Sequence, residues 1–294
     1  MKQRVKMFSL LPLVTFALLM VSLLQPLAAS ASSTGAIHLA GTRQNSHNIP
    51  NSNLVYHGGP EMTGTANAYA IFWEPTGSIV SATYNSLIKR YFGDIGPSKL
   101  YHNNTQYHDS SGHFPSNAVL AGSYVDTHAY PSNPISDKQV RGEVTHAQSV
   151  NGWHPSIGNI FFVFTAKGEN ICASFGCSFQ VFCAYHGFFG GNNIYAAMPY
   201  TGTDLAGCGV PTTPNHDIDA DSTINVTSHE QNEAATDPLL NAWFDSSGNE
   251  IGDKCNFNFG PTKSYHGDVK LNGHPYEVQK EWDNLKSSCV LAGP

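Results

Sequence analysis

The segment Ser228-His229-Glu230-Gln231-Asn232-Glu233 carries the most legible chemistry in this chain. On a helix, residues i and i+4 stand one turn apart on the same face. His229 and Glu233 would therefore face a common space, where an imidazole and a carboxylate can grip one metal ion. Glu230, next to His229, would be free to act as general base toward a water. This is the logic of the His-Glu-x-x-His pattern, two ligands a turn apart with a glutamate to take the proton. Here a glutamate replaces the second histidine, and a carboxylate oxygen is an acceptable zinc ligand. The same string also suits a plain helix, because Glu230 and Glu233 in a first turn favour the helix dipole with no metal at all.

A further ligand has to return from elsewhere. Glu250 follows Glu233 by 17 residues and Asp253 by 20, and either would complete the set; Asp237, at i+8 from His229, is the alternative. Calcium competes with zinc. Asp245-x-Ser247-x-Asn249 with Asp253, and Asp217-x-Asp219-x-Asp221, space oxygen ligands as a calcium loop does, although neither has the glycine at its sixth position. Cys183 and His186 suggest a nucleophile pair, but a cysteine in an exported chain is more often bonded to another. His57, His102, His108, His113, His128, His146, His154, His216 and His274 are scattered in polar segments and read as surface or hydrogen-bonded side chains. Trp73, Trp153, Trp243 and Trp282 would suit a sugar-stacking platform, though tryptophans in a domain of this size are more often core.

The elements that must position these groups follow from periodicity. A helix is expected over 224–236, stopped near Asp237-Pro238, with Thr227-x-x-Glu230 and Ser228-x-x-Gln231 as capping boxes. Residues 215–222 read as a polar turn before it. Further helices are expected over 81–92, ended by Gly93, and over 138–150, closed by Asn151-Gly152. Strands are expected at 68–73, 159–165, 180–185 and 194–198, with 159–165 apolar and aromatic enough to be central. Residues 101–135 read as loops and short strands. The tail from 239 reads as loop-rich, with a short helix over 281–287. Strands followed by a functional helix predict an α+β domain over 53–294.

The compartment is written at the start. Lys2, Arg4 and Lys6 precede an apolar run over 7–24, then Gln25, Pro26 and the small residues Ala29-Ser30-Ala31. That order is a secretory signal with a cut after Ala31, so the mature protein is expected to be secreted and extracellular. No second apolar run approaches spanning length, so no membrane partner is expected after cleavage. Residues 32–52, rich in Ser, Asn, Gly and Thr, read as a flexible leader. The formal charge is −7 with no cluster of Lys or Arg, which excludes nucleic acid as a partner. The cysteines are Cys172, Cys177, Cys183, Cys208, Cys255 and Cys289. An even number in an exported chain implies disulfides rather than a metal cluster, which would show C-x2-C pairs. Sequence does not choose among the pairings; the expectation adopted is Cys172–Cys177, Cys183–Cys208 and Cys255–Cys289.

Residues 54–60 (LVYHGGP), 159–165 (NIFFVFT), 182–186 (FCAYH) and 237–243 (DPLLNAW) resemble, in that order, motifs of the phosphate-induced protein 1 / EXORDIUM-like family. The segment 229–237 with 250–255 (EIGDKC) is similar to the family's microbial branch. The resemblance spans about residues 53–260. It implies a secreted protein of the cell-wall kind, as the plant members are, without an assigned enzymatic activity. The plant pattern lacks the His-Glu pair, so a metal role would belong to the microbial branch.

These readings combine into one expectation: a disulfide-stabilised, zincin-like α+β domain with a mixed sheet and a metal-site helix. His229, Glu233 and Glu250 or Asp253 would hold zinc, with calcium as the alternative ion. Glu230 would activate water for hydrolysis of a peptide or protein substrate. The alternative is a non-catalytic extracellular protein that binds cell-wall polysaccharide or matrix.

Overall fold

The computed structural model describes residues 37–43, 52–262 and 264–294. The expected signal segment, and the leader residues other than 37–43 and 52, lie outside them.

The chain is organised around the segment NIFFVF. As strand Asn159–Phe164 (β4) it sends Ile160, Phe162 and Phe164 to one face and Phe161 and Val163 to the other, all buried. A strand apolar on both faces needs cover on both. It lies in a six-stranded sheet with Ile37–Gly41 (β1), Gly64–Trp73 (β2), Pro115–Asp126 (β3), Phe182–Phe189 (β5) and Asn193–Met198 (β6). The spatial order is β1-β5-β6-β4-β2-β3. The four strands β6, β4, β2 and β3 are parallel. β5 runs antiparallel to β6, and β1 antiparallel to β5. The α+β expectation with a mixed sheet therefore holds, with helices on both faces. Tyr84–Ile95 (α1) and Ile218–Thr236 (α3) pack on one face, and Asp137–Asn151 (α2) on the other.

The helix boundaries show which local signals win. At α2, Ser136 and Gln139 form a reciprocal capping box, and Gly152 ends the helix in the left-handed conformation at φ 68°. α1 does not stop at Gly93 as expected. A glycine inside a helix costs about 1 kcal/mol, and burial of Phe92 and Ile95 on the sheet offsets it. α3 begins before its expected start, because Asp217 caps it by accepting from the Ala220 N–H at 3.1 Å. The polar turn expected over 215–222 is thus largely the first turns of the helix. Thr227 and Ser228 sit in its interior rather than at caps; the Thr227 hydroxyl donates to the Thr223 carbonyl at 2.7 Å.

Three other expectations are corrected. Within the expected flexible leader, Ile37–Gly41 is an edge strand, because its backbone pairs with β5 and leaves Ala40 buried. The stretch expected as loops and short strands holds the 12-residue β3. The tail has no helix over 281–287: Glu281–Asp283 pairs with Ser288–Val290 as a hairpin, and Trp282 needs the hairpin to reach its buried place. The disulfides join Cys172–Cys177, Cys183–Cys208 and Cys255–Cys289, as expected. Trp73 and Trp282 are buried, and Trp153 and Trp243 half-buried. Among the described residues no helix is long and apolar enough to cross a membrane.

Candidate metal centre

α3 is buried all round although its sequence is mostly polar. Some of its polar side chains are tied into the fold: Asn232 donates to the Ser228 carbonyl, Asn104 donates to Asn232, and Asn225 accepts from the Gln279 N–H. This fixes the helix rotation and presents His229, Glu230 and Glu233 toward the β1–β5 edge of the sheet and the loop after the helix. In the antiparallel register of β1 and β5, His38 stands directly opposite His186, so both imidazoles lie on one face. The loop 248–255 then supplies Glu250 and Asp253. It is held by Gln279 Nε2 donating to the Gly252 carbonyl at 2.8 Å, by Trp282 N donating to the Ile251 carbonyl at 3.0 Å, and by the Cys255–Cys289 bond. Gly252 lets this loop press on the helix: a Cβ there would lie 2.9 Å from His229 Cγ and 3.0 Å from Glu233 Oε1.

The donors converge. His38 Nδ1 lies 2.7 Å from Glu250 Oε2, 3.1 Å from Asp253 Oδ2 and 3.9 Å from Glu233 Oε2. Two donors each about 2.1 Å from a tetrahedral zinc stand about 3.4 Å apart, and these separations bracket that value. His38, Glu233, Glu250 and Asp253 form one such group, and His186, Glu230 and Glu233 a second that shares Glu233. His186 Nδ1 lies 3.1 Å from Glu230 Oε2 and 3.5 Å from Glu233 Oε2. Glu230 Oε1 accepts from the Ala40 N–H at 3.2 Å. His229 approaches Glu233 Oε1 at 2.9 Å and Asp253 Oδ1 at 3.7 Å. It stands behind Glu233, outside both groups.

Burial sets the electrostatics. It drives Glu230 and Glu250 toward their protonated forms; Glu250 lies well above the ordinary carboxylate range despite the charges of His38 and His186. Glu233 goes the other way: burial opposes ionisation, but His229, His186 and His38 outweigh it and hold the carboxyl well below the usual range. Burial disfavours the charged imidazoles, yet the surrounding carboxylates hold His38, His186 and His229 well above the ordinary value. Glu281 adds a further buried carboxyl, raised by burial. Several polar atoms in this space have no aligned hydrogen-bond partner: Glu233 Oε2, both Glu250 oxygens, His38 Nδ1, His186 Nε2 and both His229 nitrogens. Such atoms cost free energy where they are buried. His38 keeps a quarter of its side-chain exposure, so the group has a solvent edge.

Asp237 accepts from the Asn241 and Ala242 N–H groups through one oxygen and stays within reach of Glu250, beside the group rather than in it. The remaining sequence candidates find separate employment. Asp245 accepts from the Ser247 and Asn249 N–H groups, and Lys254 Nζ stands 3.2 Å from it. The expected calcium-loop spacing there is a turn closed by the chain's own ammonium. Asp217, Asp219 and Asp221 diverge: Asp217 takes Ser81 and Thr83 hydroxyls, Asp219 takes Tyr200, and Asp221 takes Thr213 and Asn215. Cys183 is in a disulfide and is no nucleophile.

A search among known proteins finds EXORDIUM-like 5 of Arabidopsis thaliana, 24% identical, with 83% of this chain and 79% of that one covered. That similarity supports the resemblance of the sequence motifs to the EXORDIUM-like family. No family model matches the chain, and no solved structure matches it. Sequence reasoning missed His38 and His186 as members of the cluster. His38 fell in a stretch read as leader, although the alternation Ile37-His38-Leu39 was a weak strand signal. His186 enters the sequence reading as a partner for Cys183 and as the end of the 182–186 motif, not as a ligand. Its one available signal was its place in a strand that a buried helix must cover.

Proposed function

We propose that this chain is an exported metal-binding protein whose divalent cation is held by His38, Glu233, Glu250 and Asp253. The observation that carries this is the concentration of buried, unpartnered donor atoms at one point where a helix, two strands and a loop meet. One imidazole with three carboxylates suits zinc better than a soft thiolate-seeking ion. The zincin-like character lies in the helix that supplies Glu233 and, one turn earlier, the His-Glu pair. It departs from that pattern in placing His229 beside Glu233 rather than in the four-residue group. Export is supported by the basic, apolar and small-residue order of the first 31 residues, by three disulfides, and by the EXORDIUM-like relative.

Metal content of the purified protein tests the site. Zinc present in the native chain and lost in His38→Ala and in Glu250→Gln, with both variants folded, supports it. Equal zinc in all three removes these residues from the site.

Hydrolysis is the second reading, favoured by the exposed edge at His38 and by Glu230 in the adjoining group that shares Glu233. A bound cation would polarise a peptide carbonyl and acidify a water. Glu230 would take the proton once Oε2 releases His186. Glu230→Gln should then abolish cleavage of a peptide library while zinc is retained. No turnover in the native protein, together with retention on wall polysaccharide, would favour a non-catalytic wall-binding protein instead.

A further inference from the structure

A second cluster stands at the carboxyl ends of the parallel strands, and the site above does not use it. Asp126 closes β3, and Trp73 closes β2 beside it. Glu143 and His146 project from α2 at i and i+3, on one face of the helix. Together with His128 these residues line a cavity of about 250 Å³. Trp73 Nε1 donates to the His128 carbonyl at 3.0 Å and fixes the loop that carries the imidazole.

The donors are arranged around Asp126. Its Oδ1 lies 2.5 Å from His128 Nδ1, and its Oδ2 lies 3.6 Å from His146 Nε2. The two imidazole planes are nearly perpendicular, with centroids 5.5 Å apart. Asp126, His128 and His146 are mutually close enough to share an ion. Glu143 lies beneath them, 5% exposed, with Oε1 lacking a hydrogen-bond partner. The carboxyls of Glu143 and Asp126 share a hydrogen bond, so a proton stands between them at the place a bound cation would take over. The imidazoles remain open to solvent, at 77% and 40% of their side-chain surface, which leaves an entry path.

We infer that Asp126, His128 and His146, with Glu143 beneath, form a second divalent-cation site of the transition-metal class. Two imidazoles and a carboxylate prefer zinc, copper or iron over magnesium or calcium. The ion would tie the end of edge strand β3 to α2, and its remaining coordination positions would face the cavity. This site shares no residue with the His38 cluster, so either can fail without the other.

Zinc titration of the metal-stripped protein by calorimetry tests the inference, with His128→Ala/His146→Ala and His38→Ala compared in parallel. The expected result is that the double variant loses one equivalent, or binds it at least about 100-fold more weakly, whatever His38→Ala does. Because His128 is exposed and His146 half-exposed, the variant should keep the native circular dichroism. Glu143→Gln gives a second readout: it should weaken the same equivalent while leaving the exposed imidazoles in place. If the double variant and Glu143→Gln both titrate as the native protein does, the site is refuted. If calcium competes with zinc for this equivalent at equal concentration, the transition-metal assignment is overturned.

Discussion

At the scale of the residue, Gly252 tests how closely the candidate centre is packed. Its backbone has no need of glycine's conformational freedom; what matters is space, since a Cβ would press on His229 and Glu233. Gly252→Ala should displace those side chains and weaken zinc binding about 10-fold or more, while metal-free stability changes little. Unchanged affinity by calorimetry would mean the loop yields. Glu277 makes a different prediction. Burial pushes its carboxyl up to about 7 from the ordinary 4.5, only partly countered by the Thr212 hydroxyl that donates to it at 2.6 Å. A carboxyl raised on folding holds its proton more tightly in the native state. Its contribution is therefore most favourable below pH 4.5 and is lost as the pH rises to about 7. Glu277→Gln should flatten that fall, read as denaturant midpoints between pH 5 and 8; an unchanged slope would exclude Glu277 as a source of it.

At the scale of the element, α3 is the part on which the site depends, and its register depends on Asp217. That carboxylate caps the helix and accepts hydroxyls from Ser81 and Thr83 before α1. Asp217→Ala should cost about 1–2 kcal/mol, seen as a melting temperature lower by roughly 2–8 °C. Asp217→Asn should recover most of it, because an amide oxygen still caps. If Asn is as damaging as Ala, charge rather than capping carries the effect. The sequence was legible where a segment carried its own signal. The apolar run of β4 and the α2 helix with its closing Gly152 needed no tertiary information. The start of α3 was not legible, because Asp217-x-Asp219-x-Asp221 reads equally as a metal loop until the partners of each carboxylate are known. β1 was not legible because the short alternation Ile37-His38-Leu39 in a Ser/Asn-rich stretch gains its strand character only by pairing with β5.

At the scale of the whole molecule, the Cys255–Cys289 bond closes the loop bearing Glu250 and Asp253 onto the terminal hairpin, across a sequence separation of 34. Loop-closure entropy puts its contribution at about 4 kcal/mol. Replacing both cysteines by alanine should lower stability by roughly that amount and weaken zinc binding as well. Lower stability with unchanged zinc affinity would show that the hairpin contacts alone position the loop. The sequence by itself determined the chemistry on offer: a His-Glu-x-x-Glu helix, acids downstream, cysteines in bondable number, and an export-like start. Side-chain type and local spacing are written along the chain, so these could be read there. Only the tertiary structure decided which donors meet. His38 reaches Glu250 across 212 residues because the antiparallel register sets β1 against β5, and β5 lies under α3. A metal-binding group is a set of directions in space, and long-range strand pairing fixes those directions where sequence spacing does not.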